Sequence, residues 1–272
     1  MWEDSGYAYA KASWIIGKSF LGKKVSMLSN IHTLNELDRL IFPDGHRELP
    51  GRELLNDLEA RIRERSKRQI TSVVNSYTHT PKLLSCMLKE NTGFNFYQEL
   101  IDSLSQLENE DRQGAARLLA DEISLGNCAW AIRLRSFYNK DEKEIKKYIL
   151  DLKLLGNIHQ RRASLAAEAN ASLDFSLDVR EDWHGWRWEK FLNAQDGQQH
   201  WNADPRHFQN AASQYLYRLA FHSFHSSSMS VSAIYCFIKL KQYEEDLLTS
   251  VAEGFSLGMN SAGVFNLLEA AV

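Results

Sequence analysis

Cysteine and proline are scarce in this chain, and the common catalytic signatures are missing. Its three cysteines, Cys86, Cys128 and Cys236, lie far apart with no CxxC spacing. That excludes a disulfide framework or a zinc cluster and fits a reducing, cytoplasmic setting. The sequence has no P-loop glycine-lysine motif, no GxGxxG, no GxSxG and no HExxH, so the usual nucleotide-binding, serine-hydrolase and zinc-peptidase classes are set aside. His222 and His225, three apart, offer at most two metal ligands with no further ligand paired nearby. No catalytic, cofactor or metal residue is expected. Positive charge is not in excess either: a net charge of −3 and a pI near 6.3 leave no broad basic face for phosphate neutralisation, which argues against nucleic acid as a partner.

Long apolar runs are also lacking. The longest uncharged stretch, Leu219 to Ile238, contains six serines and two histidines and reads as a helix end, a polar turn and a helix start, not a bilayer span. The first residues are acidic and aromatic, so no secretory signal is expected. The chain is expected to stay in the cytoplasm without direct membrane insertion; at a membrane it would be held by a protein partner.

Hydrophobic residues make up 44% of the 272 positions, enough for a substantial core in one large domain or two small ones. Their spacing is helical. In 53–77, Leu55, Leu58, Ile62, Ile70, Val73 and Tyr77 recur at three and four residues with a gap filled by Ser66, the signature of a long amphipathic helix. Four prolines occur, and Pro81 and Pro205 follow Thr80 and Asp204, a helix-start pattern. Thr33 with Glu36 forms a capping box, and Asn95 with Gln98 and Asn139 with Glu142 repeat the pattern. Gly258 closes the helix that runs to Phe255, where φ > 0 is wanted. No segment alternates as a strand should. The reading is all-α, with helices near 8–20, 33–41, 53–77, 81–90, 95–107, 112–138, 141–155, 157–171, 187–193, 205–223, 230–257 and 261–270. The least helical region, 171–190, suggests two portions, 1–172 and 173–272. A faint internal echo at an offset of about 120 residues relates the helices before Asn139 and Asn260.

Two clusters are interface candidates. Trp183, Trp186 and Trp188 sit beside Glu181, Asp182, His184 and Arg187, and such clusters occur at the centres of protein interfaces, although core packing is the favoured reading because indoles bury so much area. In the basic run of 61–68, Arg61 and Arg65 could belong to a docking stripe for an acidic partner helix; a solvated face is the default. RRAS, 161–164, has the look of a kinase site but is short enough to recur by chance.

The order of residue types carries a resemblance. In Cys236 to Met259 an aromatic-aliphatic run is followed by Lys241, then Glu244, a leucine-rich turn at Leu248, then Gly254 and Gly258. In Glu122 to Ile145, Asn127 precedes Arg133 by six positions, and Tyr7 to Ala12 reads YAYAKA. Together these resemble the central-stalk component of V-type and archaeal-type rotary ATPases, called C in prokaryotes and d in eukaryotes. Leu247 stands where that family usually carries Asn, and the chain is short for the family. The resemblance implies a funnel-like body of helical subdomains related by internal repeat, in a shortened form. It also implies a non-catalytic role, with a coiled-coil shaft subunit, the membrane rotor ring and other stalk subunits as partners, in ATP-driven proton or sodium transport or ATP synthesis. The competing reading is a free-standing α-helical adaptor.

Overall fold

The computed structural model describes residues 2–89, 93–154, 163–194 and 200–259. It is all-α, and its described residues form two compact units. The first comprises Met1–Leu88 with Ala220–Val272, the second Lys89–Leu219. A cut at 172/173 therefore falls inside the second unit. The indole N–H of Trp186 donates to the Glu168 carbonyl at 3.2 Å, tying residues on either side of that position together.

The first unit holds α1 (Trp2–Lys18), a 3₁₀ run (Gly22–Asn30), α2 (Leu34–Ile41), α3 (Gly51–Val74) and α4 (Lys82–Met87). It also holds the last turns of α9 (Pro205–Ser226) and all of α10 (Val231–Ser256). Every residue of α10 from Val231 to Lys241 is buried. A helix apolar on all sides must be central, and α10 packs along α3 and touches α1, α2 and α4. The core gathers Leu28, Leu37, Ile41, Leu58, Ile62, Leu248 and Val251, so the periodic positions of 53–77 face α10. Ser230 caps α10 by accepting from the Ala233 N–H at 3.1 Å. Thr33 caps α2 by accepting from the Glu36 N–H at 3.2 Å, while the Glu36 carboxylate accepts from the His32 N–H at 2.8 Å. Gly258 sits at φ +77, and the Met259 N–H returns to the Gly254 carbonyl at 2.9 Å, closing α10 as the glycine required.

The second unit contains α5 (Phe94–Ser105), α6 (Asn109–Tyr138), the single turn α7 (Glu142–Ile145), α8 (Ala167–Ser172) and most of α9. A two-residue antiparallel pairing, Lys153 with Ser164 and Leu154 with Ala163, is its only ladder among the described residues. Asp204 caps α9, accepting from the Arg206 N–H at 2.8 Å. The structure corrects several expectations, among them the helix near 187–193, of which only Glu189–Phe191 forms a single 3₁₀ turn. Gly93, not Asn95, precedes α5. Asn139 ends α6 in the left-handed conformation (φ 47), and Asp141 caps α7 instead. The helix expected over 141–155 stops at Ile145, because the Asn127 side chain captures both backbone groups of Leu150 and holds the chain out of helical geometry. The described part of the 157–171 segment is helical from Ala167 only, and 261–270 lies outside the described residues.

Candidate functional site

Of the residues that carried the resemblance, Asn127, Lys241 and Glu244 are buried and engaged, while Tyr7, Arg133 and Gly258 are exposed. Lys241 and Glu244, both 2% exposed, lie three apart on α10 and form an ion pair inside the first unit. The second Glu244 oxygen accepts the backbone N–H of Phe20 at 2.7 Å. A carboxylate deep in the central helix thus fixes the chain where it leaves α1. Burial pulls the Lys241 ammonium below its ordinary range, and the Glu244 charge opposes that pull. The cavity beside the pair, between Ile41, Ile62 and Leu248, measures only about 10 Å³, so the pair ties elements together and admits no ligand.

Arg61 and Arg65 join the same construction. Arg61, 17% exposed, donates to Asp38 at 2.5 Å and to the Gly45 carbonyl at 2.9 Å, and forms an ion pair with Asp57 at 2.7 Å. Asp38 is buried on the apolar face of α2 and also accepts the Arg47 N–H at 2.8 Å. Together they pin the 43–47 loop to α2 and α3. Arg65 donates to the Ile41 carbonyl at 3.1 Å, near the end of α2. The guanidinium groups of both arginines therefore have partners within the unit.

The second unit repeats this use of polar groups. Asn127, 2% exposed, donates to the Leu150 and Leu165 carbonyls at 3.0 and 3.2 Å and accepts the Leu150 N–H at 2.8 Å. Arg135 donates to the Ser172 and Phe175 carbonyls at 2.6 and 2.5 Å, satisfying the C-terminus of α8; burial lowers its pKa. Asp121, also buried, accepts from Arg187 and the Tyr215 hydroxyl, each at 2.7 Å. Asp38 and Asp121 were missed by sequence reasoning, although an acid among apolar helix positions was a usable signal.

Trp183, Trp186 and Trp188 are core residues of this unit, 0%, 6% and 3% exposed. Their rings meet at 5.1 Å (Trp183 with Trp186), 5.7 Å (Trp186 with Phe208) and 5.5 Å (Trp188 with Phe191). Each indole N–H has an acceptor: Ser176 O, Glu168 O and Ser124 Oγ respectively. Beside them, burial pushes Cys128 well above its usual range, and in the first unit it pushes Cys236 up to about 12. His222 and His225 are exposed on α9, His225 edge-on to Phe221 and Phe224. No group of three His, Cys, Asp or Glu side chains among the described residues could hold a metal, and none of the described helices is long and apolar enough to cross a membrane.

The second unit also has an open feature. A groove of about 290 Å³ lies between α6 and α9, with Tyr97 of α5 at its edge. Its lining includes Glu122, Gly126, Trp130 and Arg133 from α6 and Gln209 and Ser213 from α9.

These observations define an all-α protein in which buried side chains such as Asp38, Asp121, Asn127, Lys241 and Glu244 fasten helices and loops to one another. The family model described as ATP synthase (C/AC39) subunit matches residues 52–264, a span that includes Asn127, Arg135, Lys241 and Glu244. The chain belongs to that family, the C/AC39 family of V/A-type ATPase stalk proteins. It is also similar to an uncharacterized protein of Treponema pallidum (strain Nichols), at 23% identity over 93% of this chain and 92% of that one. No solved structure gives a significant match.

Proposed function

We propose that the protein is the non-catalytic central-stalk subunit of a V/A-type rotary ATPase, seating the coiled-coil shaft on the membrane rotor ring and passing torque between them. The family match over 52–264 carries this reading. A part that transmits torque must resist shear between its helices, and that needs junctions fixed by side chains, not a perturbed catalytic group. The buried pairs Lys241–Glu244 and Arg61–Asp38 and the clamps of Asn127 and Arg135 supply such junctions, since each leaves an uncompensated polar group if it opens. Attachment to the membrane would run through the complex, with a funnel-like body of repeated helical subdomains receiving the shaft. Family membership does not favour a free-standing adaptor.

Titration calorimetry of the full chain against the coiled-coil shaft subunit encoded in the same genome tests this, with a sequence-scrambled coiled coil as control. Saturable binding to the shaft and none to the control is expected. A folded, helical protein that ignores the shaft would overturn the stalk reading.

A further inference from the structure

The outward face of α1 carries a patterned strip of aromatic and small residues. Successive helical residues turn by about 100°, and the buried side of α1 is Ser5, Ala8, Ala12, Ile15, Ile16 and Ser19. The opposite side is therefore Glu3, Tyr7, Ala10, Trp14 and Gly17. All five are exposed, Tyr7 at 64% and Trp14 at 63%. Singly scattered surface aromatics need no explanation, but these two lie about two helical turns apart on one strip. The Lys18 ammonium rests on one face of the Trp14 ring, 3.8 Å from its centroid, and the indole stays exposed all the same. Neither Glu3 nor Lys18 forms an ion pair among the described residues.

The order of sizes and charges along the strip identifies what fits it. Tyr7 and Gly17 stand equally far to either side of position 12, and so do Ala10 and Trp14. When two copies of α1 cross antiparallel about a two-fold axis at that level, Trp14 of one copy meets Ala10 of the other, and Tyr7 meets Gly17. Each large side chain then has a small one opposite, the arrangement by which paired helices seat knobs in holes. The ends agree. Glu3 in the first turn of one helix comes within three residues, roughly 4.5 Å along the axis, of Lys18 in the last turn of the other. A parallel pair would set Trp14 against Trp14 and Glu3 against Glu3. We propose that the outward face of α1 is a self-association surface that joins two copies of this chain as an antiparallel, two-fold pair. One helix pair buries less than the roughly 1,200 Å² at which standard interfaces begin, so the dimer is weak, with a dissociation constant on the order of 10–100 µM. It requires no other protein, and its failure would leave the stalk reading untouched.

Sedimentation velocity of the full chain, over concentrations that span that constant, reads the equilibrium. A reversible monomer–dimer transition is expected. Trp14→Ala and Ala10→Glu, both at exposed positions, should each weaken it by about tenfold or more. Glu3→Lys and Lys18→Glu should each weaken it by about threefold, and the double variant Glu3→Lys/Lys18→Glu should return to within about twofold of the parent, because an antiparallel pair exchanges the two charges. Trp130→Ala, at an exposed site in the second unit, should leave it unchanged. Each variant should melt within a few degrees of the parent, as surface changes do, which separates lost association from lost folding. A chain that stays monomeric throughout overturns the proposal, and so does a dimer that Trp14→Ala and Ala10→Glu leave intact. If those two variants dissolve the dimer but the charge-swapped singles and their double behave alike, the antiparallel register falls.

Discussion

Lys241 and Glu244 show how much depends on whether a charged pair is buried. On a solvated helix an i,i+3 pair contributes a few tenths of a kcal/mol; here both side chains are 3% exposed, and removing one partner strands the other charge in a dry core. Lys241→Met should therefore cost about 3–5 kcal/mol in urea unfolding. The double variant Lys241→Met/Glu244→Leu should cost much less than the sum of the singles, because no charge is stranded. It should not be neutral, since the Phe20 N–H loses its acceptor at about 1–3 kcal/mol. Strictly additive costs would show that the two side chains do not interact. The spacing from Lys241 to Glu244 was legible in the sequence. Their burial was not, because an acidic run beside Glu245 and Asp246 reads as solvent-facing until α10 is placed at the centre of its unit.

Among the elements, helix interiors were read best, and helix ends only where the cap and its partner are close in sequence and correctly placed, as at Thr33 and Gly258 but not at Asn95 or Asn139. Thr33, Ser230 and Gly258 do locally what their types permit. The same substitution should therefore have opposite signs at two glycines. Gly126→Ala, in a helix interior with open space around the added methyl, should stabilise by about 0.5–1 kcal/mol. Gly258→Ala, where φ is +77 and again nothing crowds the Cβ, should destabilise by roughly 1–2 kcal/mol through backbone strain alone. Thermal and urea unfolding of both variants check this, and equal signs would remove the left-handed stop from the account. The segment after Asn139 was misread for the complementary reason. Its propensity is helical through 155, but Asn127, 23 residues away, takes both backbone groups of Leu150, and no local pattern reveals so distant a competitor.

For the whole molecule, the division into units with separate cores bears on cooperativity. Four tryptophans, Trp183, Trp186, Trp188 and Trp201, are buried in the second unit, while Trp14 of the first is exposed. Tryptophan emission therefore reports mainly the second unit, and far-ultraviolet circular dichroism reports both. The two probes should give non-coincident urea transitions, with the first unit's loss seen mainly by dichroism. Coincident curves would mean that the units unfold as one.

The sequence by itself determined the helical class, most helix boundaries and the family, because periodicity, caps and motif order are properties of neighbours along the chain. The tertiary structure alone decided what the charged and aromatic residues do. It closed Arg61 and Arg65 onto Asp38, Asp57 and the Ile41 carbonyl, put Trp183, Trp186 and Trp188 in the core, and left Arg133 and Trp130 facing a groove. The reason is physical: desolvation and hydrogen-bond partnership depend on which side chains meet in space, and those partners lie up to 224 positions apart in this chain.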